Sequence, residues 1–207
     1  MSSSSDSNES HFGDSAESHK LDAKPYPRAV NHVGVGVSDI KQAIDWYTRV
    51  LGFTLLMGPF EVRVEPGFEG NQRDVLGEDF NAMVQAHMVS GNGIGIELFQ
   101  LIDPPHQKRE PSLEYWKSGF FHICITDPNI EELAAKIAES GGRQRSQIWR
   151  NNSAMKEYRL CYCEDPFGNI IEIYTHNYET LYGGLVRKPA WGALNSESGS
   201  KKKLYEE

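Results

Sequence analysis

The feature that most restricts the fold of this chain is an internal repeat that begins at two histidines. His32 starts the alternating run HVGVGV, and His122 starts a second one, HICIT. A helical pattern follows each run, with an isoleucine eight residues after each histidine and a glycine twenty residues after it. The shared order of strand, polar cap, apolar helix face and terminating glycine indicates two copies of one supersecondary unit.

Strand patterns follow both helices, so each copy predicts a β-α-β-β-β module. Together the two modules predict an α+β fold. The expected further strands are 54–57, 82–89 and 94–101 in the first module and 147–150, 158–163 and 170–174 in the second. The first module is 15 residues longer between its histidine and its closing glutamate, 65 against 50. We expect the extra residues to form a long loop at 66–80, and its role as a substrate lid or a simple insertion stays open.

Polar tails flank the predicted folded domain. Residues 1–27 are rich in Ser, Asp and Glu, and they predict a disordered acidic tail. The domain is expected at 28–184, with the first module at 28–105 and the second at 118–184, and 185–207 is expected to be a C-terminal tail.

Charge and hydropathy restrict the partners and the location. A net charge of −8 argues against binding to nucleic acid or to an anionic membrane. The N-terminus has no apolar signal region, and no segment approaches the roughly 18 apolar residues of a membrane helix. The three cysteines do not form a C-x-x-C pair, which favours reduced, packed thiols. These features predict a cytoplasmic protein whose partner is a small molecule.

Two histidines and two glutamates carry the predicted chemistry. His32 and His122 begin the first strand of each module, and Glu97 and Glu172 lie in the closing strands. Strand alternation places each of them opposite an apolar face that would pack on the helices. Two imidazoles and two carboxylates on one open surface predict a site for a divalent ion, with Zn, Ni, Co, Mn and Fe all compatible.

Other histidines are left outside this ligand set. His87 is expected to be exposed or in the core, with a role as a relay behind the ligands as the alternative. His176 shares the predicted face of Glu172 with Tyr174, and both are expected to contact the ligands rather than the ion.

With these residues in place, the chain resembles the vicinal oxygen chelate superfamily, which includes glyoxalase I, methylmalonyl-CoA epimerase, extradiol dioxygenases and fosfomycin-resistance proteins. The segments that carry the resemblance are NHVGVGVSDIKQAIDWYTRVLGF, GIGIELFQL, FFHICITDPNIEELAAKIAESGG and EDPFGNIIEIYTH, within about residues 30–178. The similarity to glyoxalase-like lyases and isomerases is the greatest. It implies paired modules that form a half-open, eight-stranded cup around one divalent metal, with the helices outside.

The resemblance also implies an activity. We expect a metal-dependent isomerase, epimerase or lyase that acts on a small oxygenated substrate through a metal-chelated enediolate. Glu172, and by symmetry Glu97, would be the catalytic carboxylates. Glutathione-dependent glyoxalases have an Arg and an Asn where this chain has Gly36 and Leu101. Without those groups for the peptide carboxylates, we predict a substrate other than a glutathione adduct.

Other functions remain open at this level. An Fe(II) extradiol-type dioxygenase would use two His and one Glu. A non-catalytic binding or resistance protein would instead hold its ligand between aromatic walls. The residues considered for such walls, although a core position also suits most of them, are Trp46, Tyr47, Phe99, Tyr115 and Trp116. Superfamily members close the cup within one chain or across a homodimer, and the sequence does not choose between these assemblies.

Overall fold

Two sheets, one for each copy of the repeat, form the framework of the protein. The computed structural model describes residues 27–65, 70–110, 113–153 and 156–182. Apart from Pro27, the tails expected at 1–27 and 185–207 lie outside these residues. All of the helices and strands described below belong to the unit that begins at Asn31.

Each module follows the predicted order of elements with additions. The first contains β1 (His32–Gly36), α1 (Ile40–Leu51), β2 (Thr54–Arg63), α2 (Gly70–Leu76), β3 (Ala82–Val89) and β4 (Gly95–Asp103). The second contains β5 (Ile123–Thr126), α3 (Ile130–Glu139), β6 (Arg143–Gln144), β7 (Trp149–Ser153), β8 (Lys156–Glu164), β9 (Ile170–Tyr174) and α4 (Tyr178–Tyr182).

The topology of the two sheets repeats as well. The first sheet has the order β1-β4-β3-β2, and the second has the order β5-β9-β8-β6, with β7 also paired to β8. In both sheets the first strand of the module pairs in parallel with the last, and the last pairs antiparallel with its predecessor. The predicted α+β class with paired modules is confirmed, and the described residues divide the strands between a sheet of four and a sheet of five.

The two helices that follow the first strands begin at equivalent positions but are capped differently. Asp39 caps α1 by accepting hydrogen bonds from the backbone N–H groups of Lys41 and Gln42, at 2.9 and 3.0 Å. In α3 the cap is Asn129, which makes no side-chain capping hydrogen bond, and the Asp127 carboxylate accepts a hydrogen bond from the Asn129 N–H at 2.7 Å. Pro128 lies between them, and α3 begins eight residues after His122, just as α1 begins eight residues after His32.

The insertion in the first module is not a loop throughout. The helix α2 occupies Gly70–Leu76, so the prediction of a loop over 66–80 is wrong there, while 66–69 lie outside the described residues. Arg73 stabilises the end of this helix by donating hydrogen bonds to the Phe80 carbonyl and the Asn81 side chain, at 3.2 and 3.0 Å. Such a side-chain anchor is not visible in the apolar periodicity of so short a segment.

One hydrophobic core joins the two modules. It contains buried residues from α1, α3 and both sheets. Two buried side chains of α1 also reach the second module through hydrogen bonds. Trp46 donates from Nε1 to the Ser140 carbonyl at 3.0 Å, and Tyr47 donates to Asp165 Oδ2 at 2.8 Å. Trp46 and Tyr47 are therefore core residues, and neither is a wall for a ligand.

Exposed aromatic side chains remain elsewhere, with Tyr115 and Trp116 stacked edge to face in the segment between the modules. No helix in the described ranges has both the length and the apolar character needed to cross a membrane.

Candidate metal centre

The first histidine–glutamate pair lies on neighbouring parallel strands. The register of β1 and β4 places Gly34 opposite Glu97 and His32 opposite Gly95. As a result, His32 Nε2 lies 3.4 Å from Glu97 Oε2. The absence of a side chain at Gly95 is required here, because a Cβ at that position would stand only 2.9 Å from the Cβ of His32.

The second pair repeats this arrangement in the other sheet. Cys124 lies opposite Glu172, as Gly34 lies opposite Glu97, and both positions come two residues after the histidine of their module. His122 precedes β5 directly, and its Nε2 lies 3.2 Å from Glu172 Oε2. The repeat inferred from spacing thus extends to the register of the strands that carry the four residues.

The strand that bears Glu172 is held in place by the DPFGN turn. The buried Asp165 carboxylate accepts hydrogen bonds from the N–H groups of Phe167 and Asn169, at 2.9 and 2.8 Å. Gly168 completes the turn at φ +98°, a conformation that glycine adopts without strain. Burial raises the pKa of Asp165 even though these hydrogen bonds, and the one from Tyr47, oppose the shift.

Charge compensation distinguishes the two most buried glutamates. Glu164 is 4% exposed and forms ion pairs with Arg143, at 2.7 Å, and with Arg145. Glu172 is 6% exposed, yet within the described ranges no Lys or Arg side chain pairs with it. Its one potentially cationic neighbour is the His122 imidazole. A buried carboxylate without a matching charge is costly.

The remaining neighbours of Glu172 are not cations. Burial, and secondly the charge of Glu172, raise the pKa of the Cys124 thiol to about 12. Burial, and secondly a hydrogen bond to Glu172, raise the pKa of Tyr162, which lies directly opposite on β8. A thiol and a phenol cannot neutralise a carboxylate, so they leave its charge uncompensated.

The preferred expectation for His87, an exposed or core position, is wrong, and the ring instead contacts one of the predicted ligands. It lies opposite Glu97 on β3, with Nδ1 3.3 Å from Glu97 Oε1, and is neither exposed nor in the core. Only the register of β3 against β4 could have revealed this contact. His176 lies beyond the end of β9, where its Nδ1 is 2.9 Å from Thr175 Oγ1. Tyr174 follows Glu172 on the same face, and its hydroxyl lies 3.4 Å from that of Tyr182.

The four predicted ligands form two pairs. Among the residues that the structure describes, no three His, Cys, Asp or Glu side chains surround a single point as ligands of one ion. The joint site of His32, Glu97, His122 and Glu172 therefore stays a prediction.

The chemistry within each pair nevertheless suits a divalent metal. Metal–ligand bonds of about 2.0–2.2 Å at angles of about 90–110° place neighbouring ligand atoms roughly 3.0–3.5 Å apart. The separations of 3.4 Å in the first pair and 3.2 Å in the second fall in that range. These residues fit the donor set of a divalent ion.

Comparisons with known proteins agree on the family. The family model described as the Glyoxalase/Bleomycin resistance protein/Dioxygenase superfamily matches residues 29–173. Among solved structures, the chain is similar to a glyoxalase family protein from Bacillus cereus. That similarity has 22% identity and a TM-score of 0.59, and it covers 73% of this chain and 96% of the other. No match was found among curated proteins.

Two further solved structures are similar to this chain at lower TM-scores. One is a glyoxalase I mutant from Zea mays, with 17% identity, a TM-score of 0.46 and coverage of 71% of this chain and 45% of the other. The other is a fosfomycin resistance protein from Listeria monocytogenes, complexed with Mn(II) and 1S,2S-dihydroxypropylphosphonic acid. It has 10% identity, a TM-score of 0.48 and coverage of 78% and 100%. At 22% identity, the similarity to the Bacillus cereus protein is evidence of the fold alone.

Proposed function

Since this chain belongs to the Glyoxalase/Bleomycin resistance protein/Dioxygenase superfamily, we propose that it is a metal-dependent isomerase, epimerase or lyase of the glyoxalase type. The resemblance drawn from the sequence motifs is confirmed at the level of this superfamily. The activity, the metal and the ligand set go beyond that membership and form our proposal. His32, Glu97, His122 and Glu172 would hold one divalent ion in the cytoplasm, within one chain or across a homodimer.

The buried charge of Glu172 is the observation that carries the proposal. The neighbouring Glu164 has an almost equal burial and is neutralised by two guanidinium groups. Glu172 has a histidine, a thiol and a phenol around it instead. A divalent ion at the His122–Glu172 pair would supply the missing positive charge, and the His32–Glu97 pair offers one more carboxylate and one more imidazole for the same purpose.

The residues of this chain then have distinct tasks. The ion, when bound, would supply Lewis-acid polarisation of two adjacent substrate oxygens. Glu172 would take the proton from the carbon next to the substrate carbonyl and return it to the same or the neighbouring carbon. Its burial keeps water from competing for that proton. Tyr162, which interacts with Glu172 from β8, would orient the carboxylate.

The first module supports a substrate other than a glutathione adduct. Position 36 is a glycine, and a Cβ there would stand 3.7 Å from the Cε1 atom of His106. Leu101 lies on β4, four residues beyond Glu97. Neither position offers the charged or amide group that would bind a peptide carboxylate. We therefore propose a small oxygenated substrate without a peptide moiety.

Proton exchange tests the reaction class without knowledge of the natural substrate. The protein is freed of metal with a chelator, reloaded with Ni²⁺ or Co²⁺, and incubated in D₂O with hydroxyacetone as a probe. Proton NMR should show loss of the signal from hydrogens next to the carbonyl. Glu172→Gln should abolish this exchange, because an amide cannot accept the proton, while the far-UV circular dichroism stays unchanged.

Different outcomes point to the other functions. The proposal would be overturned if no metal supports proton exchange and the iron-loaded protein consumes oxygen with catechol. That result would identify a dioxygenase. The protein would be a non-catalytic binding protein if two results are found together. Protein purified from its own host would contain no stoichiometric metal, and His122→Ala would bind ligand as wild type does. Unimpaired exchange in Glu172→Gln would refute the role of Glu172.

A further inference from the structure

Glu97 is bracketed by two imidazoles, one on each carboxylate oxygen. His32 Nε2 lies 3.4 Å from Oε2, and His87 Nδ1 lies 3.3 Å from Oε1. A carboxylate with both oxygens engaged has a defined rotation about its last side-chain bond. Glu97 therefore presents Oε2, and not Oε1, toward the histidine that begins β1.

The position of His87 is itself fixed by packing. It lies directly opposite Glu97 in the antiparallel pairing of β3 and β4. Its ring stacks on Phe60 of β2, with ring centroids 5.7 Å apart and an interplanar angle of 18°. The ring is 27% exposed, so solvent does not determine its orientation. Three adjacent strands thus contribute to the orientation of one carboxylate.

The second module has a different residue at the equivalent place. Tyr162 lies opposite Glu172 in the pairing of β8 and β9, as His87 lies opposite Glu97. The repeat thus keeps the glutamate and the leading histidine of each module. The residue opposite the glutamate differs, because it is a histidine on β3 and a tyrosine on β8. Glu97 is the more exposed of the two carboxylates, with 23% of its side chain accessible against 8% for Glu172. Burial and Tyr162 restrain Glu172, whereas the more exposed Glu97 depends on His87 as its cross-strand partner.

We propose that His87 is a positioning residue that holds Glu97 Oε1 and so directs Oε2 toward the ion. This role rests on the proposed function, since it concerns the same metal site. Partners of metal-binding carboxylates commonly set their orientation, and their loss typically costs about 10–100-fold in metal affinity or activity. In this role His87 donates from Nδ1 to the carboxylate and does not contact the ion.

Titration calorimetry with Co²⁺ on the chelator-treated full chain tests the role. His87→Ala and His87→Phe should each weaken Co²⁺ binding about 10–100-fold at unchanged stoichiometry. Phenylalanine keeps the stack on Phe60 but has no donor, so it separates hydrogen bonding from packing. His87→Gln restores a donor and should bind within a few-fold of wild type. His176→Ala is the control and should have no effect, because that ring contacts Thr175 instead.

The visible absorption of bound Co²⁺ provides a second readout. His32→Ala, which removes a proposed ligand, should change the band shape strongly, and His87→Phe should shift it only slightly. If His87→Phe binds Co²⁺ as tightly as wild type while His32→Ala does not, the positioning role is wrong and the metal site stands. Equal losses in His87→Phe and His87→Gln would also overturn it. If wild-type protein binds no Co²⁺, the proposed function fails, and the role of His87 fails with it.

Discussion

Glu172→Gln should uncouple the stability of the protein from divalent metal. In the metal-free chain, Glu172 is a carboxylate of 6% exposure that faces His122 and has no Lys or Arg partner in the described residues. Glutamine has the same shape without the charge, so the cost of burying an uncompensated ion disappears. We therefore expect the metal-free variant to be no less stable than the metal-free wild type.

The metal-loaded proteins should rank in the opposite order. An ion that binds only the folded state at about 100 times its Kd adds about 2.7 kcal/mol of stability. For a domain of about 150–250 residues each kcal/mol corresponds to about 2–4 °C, so the midpoint of wild type should rise by about 5–11 °C. The variant lacks the buried carboxylate ligand and should gain little. Differential scanning calorimetry of both proteins, with chelator and with Ni²⁺, measures the two effects.

Glu164→Gln is the matched control, because Glu164 is equally buried but already neutralised. It should lower the metal-free stability, since Arg143 and Arg145 lose their shared carboxylate, and it should leave the metal-induced shift intact. An identical metal-induced rise in wild type and Glu172→Gln would refute the assignment of Glu172 as a ligand. A much less stable metal-free Glu172→Gln would show that the surroundings of Glu172 already compensate its charge without metal.

Three further predictions concern the packing around the site. Tyr47→Phe removes a buried hydrogen bond to a carboxylate, worth about 1.5–3 kcal/mol, and should lower the unfolding free energy measured in urea by that amount. Gly95→Ala places a Cβ 2.9 Å from that of His32 and should weaken Co²⁺ binding in calorimetry, whereas Gly91→Ala, with nothing within 4 Å, should not. Because burial raises the pKa of Asp165 above its usual 3.8, its contribution to stability is full in acid and is lost as pH rises through the raised value. The stability difference between wild type and Asp165→Asn should thus be larger at pH 3 than at pH 7, and a constant difference would contradict the shift.

The repeat allowed most of the fold to be predicted from the sequence. The two leading histidines, the apolar helix faces and the terminating glycines are local patterns, and each appears twice. The parallel pairing of β1 with β4 and of β5 with β9, which the structure shows, then brings each histidine to its glutamate. Local periodicity was enough because both members of each pair belong to the same module.

Cross-strand neighbours could not be predicted in this way. His87 and Tyr162 contact the glutamates through antiparallel pairings, and single-sequence patterns do not fix the register of such pairings. The helix at Gly70–Leu76 was missed for a related reason. Its stabilisation comes from the hydrogen bonds of Arg73 to residues seven and eight positions later, not from an apolar face.

The DPFGN turn connects the shared core to the proposed site. Tyr47, from the first module, donates to the Asp165 carboxylate, and Asn169 Nδ2 donates both to Asp165 Oδ2, at 2.8 Å, and to the Gly36 carbonyl at the end of β1, at 3.1 Å. The turn therefore contacts two elements of the first module while it starts the strand that carries Glu172. Since β1 also carries His32, these hydrogen bonds restrain the strands of both pairs relative to each other. The turn is thus the point where a buried hydrogen-bond network in the core constrains the spacing of the proposed ligands, which come from different modules.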